Sequence, residues 1–327
     1  MKPIRANLHP SVIARASMAA FWLLVLVLSF LTAGARPEPE SPAQPTKIVG
    51  PRECAECHEA ENRTWLETAH QTSFKTLSRS KEARAIAKEL GIRRVKRDER
   101  CIRCHFTEQG ETDQKLKVIG GVSCESCHGA GQEWIDIHGD FGAASAEEES
   151  SEHREERLAR SIELGLRGPN NVATLIESCY ACHLVTDDEL VAAGHPRDGA
   201  FDPWTATQGE VRHNFVRGKG DNVPASESRK RLIHWTGRLF ELAKLFETVA
   251  AQGQSPNPAF SVRAMDVLYA LPDSTPDFTW ADCVVRAKDW QTFSGNQLRE
   301  LAEELRAEAH ALQAREDSLP PVPEGKK

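Results

Sequence analysis

The sequence predicts a mainly α-helical chain in which short helices and loops precede a run of longer amphipathic helices. Three observations predict it. Strand-like alternation is scarce between residues 48 and 220. Four Cys-x-x-Cys-His units punctuate that same stretch at irregular intervals. From Ser226 onward, apolar residues recur at spacings of three and four, the period of an α-helix with one buried stripe.

The N-terminus reads as a secretory signal. Lys2, Arg5 and Arg15 give a positive start, Ala19 to Leu31 is almost wholly apolar, and Ala33-Gly34-Ala35 offers a small-x-small cleavage site. Residues 1–35 are therefore expected to be removed on export. If uncleaved, they would associate with a membrane, because the apolar run approaches the ~18 to 20 residues that span a bilayer. Either outcome puts the body of the protein outside the cytoplasm, in the periplasm or beyond it. Residues 36–47 are rich in Pro, Glu, Ser and Thr and read as a flexible tether.

The 327-residue chain has a formal charge of −7, and the signal holds three basic and no acidic residues, which leaves −10 on the mature chain. With that balance no basic stripe is expected for phosphates, so nucleic-acid binding is not expected. An acidic body favours encounters with basic partners through electrostatic steering.

Nine cysteines in an exported chain would ordinarily suggest disulfides, but eight of them fall in four units: Cys54-Ala55-Glu56-Cys57-His58, Cys101-Ile102-Arg103-Cys104-His105, Cys124-Glu125-Ser126-Cys127-His128 and Cys179-Tyr180-Ala181-Cys182-His183. Random order would give roughly 0.01 such units in a chain of this composition, so chance is excluded. The unit is the attachment signature of c-type haem. Two thiols about one helical turn apart reach the two vinyl groups on one porphyrin edge, and the histidine that follows turns its imidazole to the iron. Cys54, Cys57, Cys101, Cys104, Cys124, Cys127, Cys179 and Cys182 are thus the expected thioether anchors of four haems. His58, His105, His128 and His183 are the expected proximal ligands. Two zinc sites of four cysteines each would use all the sulfurs, but they would not explain a histidine after every second cysteine. A thioredoxin-like dithiol expects a βαβ context that is missing.

The occupant of each iron's opposite face separates an electron wire from a catalyst. Methionine is nearly ruled out, since only Met265 lies outside the signal. Among the spare histidines, His70 follows Trp65 in an expected short helix, with Trp65 placed to pack on a porphyrin. His138 follows the third unit by ten residues in a mildly apolar segment. His195 lies in Gly194-His195-Pro196, where glycine allows close approach and proline stiffens the loop. His213 sits between Arg212 and Phe215 with only Asn214 intervening. These four are the candidate distal ligands, with their pairing left open. His153, in an acidic stretch from Ala143 to Arg160 expected to be an exposed helix or disordered loop, reads as solvated, His234 beside Trp235 reads as a helix-packing residue, and His310 lies on a polar C-terminal helix.

The haem region spans 48–220, and four macrocycles would supply the apolar core its own side chains lack. A helical C-terminal region covers 226–316, with helices expected near 226–252, 260–271, 279–292 and 295–315. It shows no chemistry beyond Cys283, a buried apolar filler by its surroundings. Residues 317–327 read as a disordered tail.

The four units resemble the tetrahaem cytochrome c-554 family of nitrifying bacteria. The resemblance extends to the Trp65 to His70 segment, to Ser123-Cys124-Glu125-Ser126-Cys127-His128-Gly129-Ala130-Gly131 and to Gly194-His195-Pro196, and covers roughly residues 50 to 215. It implies a mainly α-helical periplasmic electron carrier with closely stacked, chiefly bis-histidine haems and separate redox protein partners. One haem in that family can lack a sixth ligand. Two functions are therefore expected to compete: electron transfer between partners, and oxidoreduction of a small nitrogen oxide or oxygen species at a five-coordinate haem. In the second, His153, His213 or Arg212 would serve as distal donor.

Overall fold

The computed structural model describes residues 44–111, 115–197, 201–208, 216–217, 221–222, 225–253, 257–272 and 280–322. The signal segment, most of the tether and His213 lie outside them. Helix accounts for 68% of the structure and strand for 3%, so the mainly α expectation is met. Pro42–Lys327 forms one compact unit. Among the described residues no helix is long and apolar enough to cross a membrane.

The N-terminal part is a series of short helices: α1 (Pro51–Ala55), α2 (Glu59–Glu67), α3 (Ala69–Thr76), α4 (Lys81–Glu89) and α5 (Glu99–His105). The Trp65–His70 segment is two helices where one was expected. Thr68 adopts an extended backbone, its side chain accepts the Gln71 N–H, and a new helix starts there with His70 in its first turn. Strands β1 (Thr107–Gln109) and β2 (Lys117–Gly120) then pair antiparallel. Next come α6 (Cys124–His128), α7 (Ile135–Gly139), α8 (Ser151–Glu163), α9 (Val172–His183), α10 (Asp188–Ala192) and α11 (Pro203–Gln208), followed by the pair β3 (Val216–Arg217) and β4 (Asp221–Asn222).

The C-terminal helices are α12 (Glu227–Gln252), α13 (Pro258–Ala270), α14 (Trp280–Ala287) and α15 (Gly295–Ala311), close to the spans their periodicity predicts. Ser226 caps α12, Pro258 occupies the first turn of α13, and Ser294 with Gln297 forms a capping box on α15. Leu239, Leu242, Leu245 and Phe246 of α12 are fully buried against α13 and α15. This core does not stop at the region boundary, because Val172, Ala173, Ile176 and Tyr180 of α9 belong to it. The helix that carries the fourth Cys-x-x-Cys-His unit is thus packed on α12.

The haem region has a far smaller core of its own, built on Ala87, Ile92, Val95 and Phe106. That is the pattern expected of a segment that completes its interior with something other than side chains.

Three expectations need correction. The last tether residues are docked: Pro45–Lys47 forms a 3₁₀ turn, Lys47 pairs with Glu133 at 2.7 Å, and Gly110 donates to the Pro45 carbonyl. The acidic stretch is not merely a solvated surface. The Glu149 side chain is shielded from solvent because His153, Arg154 and Arg157 all converge on its carboxylate. The tail is ordered at its start, since Leu319 is buried in the main core and Trp235 Nε1 donates to the Pro320 carbonyl at 2.8 Å.

Candidate functional site

Each Cys-x-x-Cys-His unit lies on or at the end of a helix, as the spacing requires. The unit of Cys54 closes α1 with His58 just beyond it; those of Cys101, Cys124 and Cys179 end α5, α6 and α9. All eight thiols are free. The third unit is held most firmly. Ser123 and Ser126 form a capping box, and the buried Glu125 carboxylate accepts the backbone N–H groups of Val49, Gly50 and Gly131 at 2.8 to 2.9 Å. Burial pushes the Glu125 pKa up, and these three hydrogen bonds oppose it. Glu125 thereby ties the third unit to the start of α1 and the first.

The units approach one another in pairs. The Cys54 thiol lies beside that of Cys124, and the Cys104 thiol beside that of Cys182, with no disulfide between them. Cys182 also donates to the Arg103 carbonyl. The hydrogen bond from Cys182 and the Arg103 charge bring Cys104 down to about 7, while burial and then the nearby Cys127 push Cys179 up to about 12.

The histidines also meet in pairs. His58 and His138 have ring centroids 6.1 Å apart, His70 and His183 6.0 Å, and His105 and His195 6.1 Å. Two imidazoles bonded to one metal ion at about 2 Å each place their centroids about 6 Å apart, whereas stacked rings in contact lie closer. Three of the four distal candidates thus face a histidine from a Cys-x-x-Cys-His unit in a spacing that suits an iron between them. For His128 the described contact is Nδ1 with the Arg167 carbonyl at 2.8 Å. His213 lies outside the described residues.

Surrounding groups fix these rings. His195 Nδ1 bonds the Pro196 carbonyl at 2.8 Å, and Gly194, at φ 97°, makes the turn. With Nδ1 engaged in this way, a metal at His128 or His195 would be bound through Nε2, the usual outer-shell arrangement. Phe201 stacks on His183 at 4.1 Å. Trp134 meets His138 edge-on at 5.6 Å, and burial, then the Arg157 and His58 charges, lower His138 to about 4. A neutral imidazole is the form a metal requires. His138 Nδ1 is buried and has no hydrogen-bond partner among the described residues, a cost that a bound ion would remove.

The donor set fits haem. An iron held between two imidazoles would take its remaining donors from the porphyrin that the adjoining Cys-x-x-Cys pair would anchor. Met265 is engaged elsewhere, accepting from Trp290 Nε1 at 3.2 Å in the C-terminal helices. His234 pairs with Asp202 and meets Trp235 edge-on, the packing role read from its sequence context, and His310 meets Phe240 edge-on. Trp65 is buried, with Nε1 donating to the Val122 carbonyl at 2.8 Å. Sequence reasoning missed Glu125, Arg157 and Arg167. Only Glu125 had a local signal, its place within the Ser-x-x-Ser capping box.

A mainly helical chain in which three of four Cys-x-x-Cys-His units face a histidine from a remote segment has the make-up of a c-type cytochrome, a class defined by covalently bound haem and electron transfer. The family model described as "Cytochrome c554 and c-prime" matches residues 53–129. Cytochrome c-554 of Nitrosomonas europaea is 27% identical over 206 residues, which cover 61% of this chain and 79% of that protein. Both comparisons support the cytochrome c-554 family, the one its motifs resemble. No solved structure matches the chain.

Proposed function

We propose that this protein is an exported, periplasmic carrier that moves electrons between redox proteins through four covalently bound haems. Cys54, Cys57, Cys101, Cys104, Cys124, Cys127, Cys179 and Cys182 hold the macrocycles. His58, His105, His128 and His183 bind the irons on one side. His138, His195 and His70 bind the opposite face of the irons at His58, His105 and His183. Bound haem supplies a one-electron ferric/ferrous couple; the chain's own residues set its distance, orientation and ligation.

The observation that carries this reading is the common centroid spacing of the three histidine pairs, each joining a Cys-x-x-Cys-His unit to a remote segment. A second observation concerns order in space. Contacts of Cys54 with Cys124 and of Cys104 with Cys182, together with the proximity of Cys127 to Cys179, favour a relay running first, third, fourth, second unit. Haems held at neighbouring units along such a series would exchange electrons without a mobile carrier.

Intact-mass measurement of the purified chain tests the cofactor count, with four haem masses expected and a bare polypeptide mass overturning the reading. Electron paramagnetic resonance of the oxidised protein tests ligation. At least three low-spin bis-histidine signals are expected, and a spectrum dominated by high-spin iron would refute the pairings.

A further inference from the structure

Residues 75–103 carry eleven Lys and Arg side chains against four Asp and Glu, a net of +7 within a chain whose total is −7. The fold gathers these charges on one lobe. Helix α4 exposes Lys81, Arg84 and Lys88, spaced three and four apart on one face, while Ala83, Ile86, Ala87 and Leu90 turn inward. Beyond it, Arg93, Arg94 and Arg97 are exposed around the buried Val95. Among the described residues none of these six forms an ion pair with a carboxylate, and Arg84 instead bonds the Arg79 and Ser80 carbonyls.

The lobe is attached to the second Cys-x-x-Cys-His unit. Ala87, Ile92, Val95 and Phe106 form its small core, and Cys101 and Ile102 pack against them. Arg103, between the two cysteines, is also exposed but pairs with Asp187 at 3.7 Å, so the unpaired positive charge lies on α4 and on Arg93, Arg94 and Arg97 beside this unit. The first unit, at the other end of the series, is flanked by the exposed carboxylates of Glu53, Glu56, Glu59 and Glu67, which outnumber the exposed Arg52 and Arg63 there, Arg63 pairing with Glu59 at 3.8 Å. The two ends of the relay thus present opposite charge.

We propose that this basic lobe is the docking site for the acidic face of a redox protein, which exchanges electrons at the second unit. The proposal rests on reading that unit as a haem site. Charge complementarity selects the partner, and the acidic end of the series repels the same partner. A protein surface fits better than a membrane, because segments that lie in a lipid interface bury an apolar face. The exposed large apolar residues, Leu66, Leu116, Val262, Tyr269 and Val285, all fall outside the lobe.

The test uses the full-length haem-loaded protein and flavodoxin hydroquinone, an acidic one-electron donor, in stopped-flow mixing. One electron passes to a ferric haem, leaving flavodoxin semiquinone and a ferrous haem. The variant Lys81→Glu/Arg84→Glu/Lys88→Glu should slow the second-order reaction about tenfold at low ionic strength, with the difference closing as salt screens the charges. A control, Arg63→Glu/Arg160→Glu/Arg299→Glu, removes the same charge elsewhere and should slow it far less. Equal slowing by both variants, or none by the first, would overturn the proposal. So would loss of sedimentation with phosphatidylglycerol vesicles at an unchanged flavodoxin rate, which would assign the lobe to a membrane. Mass and absorbance are recorded first: a bare chain fails the functional reading, whereas haem-loaded variants with equal rates fail only the docking.

Discussion

Arg157 donates a hydrogen bond to the backbone carbonyl of His138 and holds the solvent-shielded Glu149 carboxylate with its Nε and Nη2 at 2.6 and 2.8 Å. Helix α8 therefore bears on the ring that faces His58. Replacing Arg157 with alanine should loosen His138 and convert one low-spin haem to high spin, whereas lysine, which can still reach one acceptor, should retain part of the low-spin signal. Electron paramagnetic resonance of the oxidised variants checks this; an unchanged spectrum for Arg157→Ala would show that the contact does not position the ligand.

Single substitutions His70→Ala, His138→Ala and His195→Ala should each cost one low-spin centre, and each a different one. Spectra that change identically in all three variants would contradict the separate pairings with His183, His58 and His105.

Gly121 controls one of these rings through its backbone. A Cβ there would press on the His70 carbonyl oxygen and on Ser73 Oγ, while Val122 N–H already donates to that carbonyl at 3.0 Å. Gly121→Ala is expected to destabilise the protein by about 1–3 kcal/mol through overpacking and to shift the signal of the haem between His70 and His183. Chemical denaturation with spectroscopy on the same samples measures both.

The Asp202–His234 pair, 3.2 Å apart, makes acid stability testable. Burial alone would raise the Asp202 pKa, but hydrogen bonds from His234 and Thr205 outweigh it and lower the value from 3.8 to about 2. The folded value lies below the unfolded one. The contribution is therefore present above the unfolded value and is lost as pH falls through the folded one. Asp202→Asn should lower stability at neutral pH by on the order of 2 kcal/mol and flatten the loss between pH 4 and pH 2. Urea titrations across that range compare the two proteins.

Protein made without haem attachment should keep α12 and α15 and lose protection in α1 to α7. The reason is the contrast between the large core around Leu242 and Phe246 and the small one around Ile92 and Phe106. Amide hydrogen exchange resolves the two regions, and uniform protection would contradict the dependence on macrocycles.

The long C-terminal helices were legible because periodicity and caps agree: Ser226, Pro258 and Ser294 mark three of their starts. The Cys-x-x-Cys-His units were legible because their chemistry is packed into five consecutive residues. Ligand pairing was not, since His70 meets His183 and His105 meets His195 across most of the haem region, and no local pattern encodes such a meeting. Glu149 was misread for a related reason. Its sequence neighbours are charged, but three cations fold back on it and exclude water. Average charge concealed the basic lobe in the same way, by summing over surfaces that the fold keeps apart.

Tyr180, inside the fourth unit, is only 3% exposed and its hydroxyl lies near Gly237 of α12, where a Cβ would come within 3.2 Å of it. A ribosome that has just finished that unit has not yet made the partner helix. Until residues 227–252 emerge, the apolar side of Val172–His183 has nothing to lie on. A chain that ends before those residues therefore displays a greasy strip beside its last cysteine pair, a natural target for holdase chaperones and proteases.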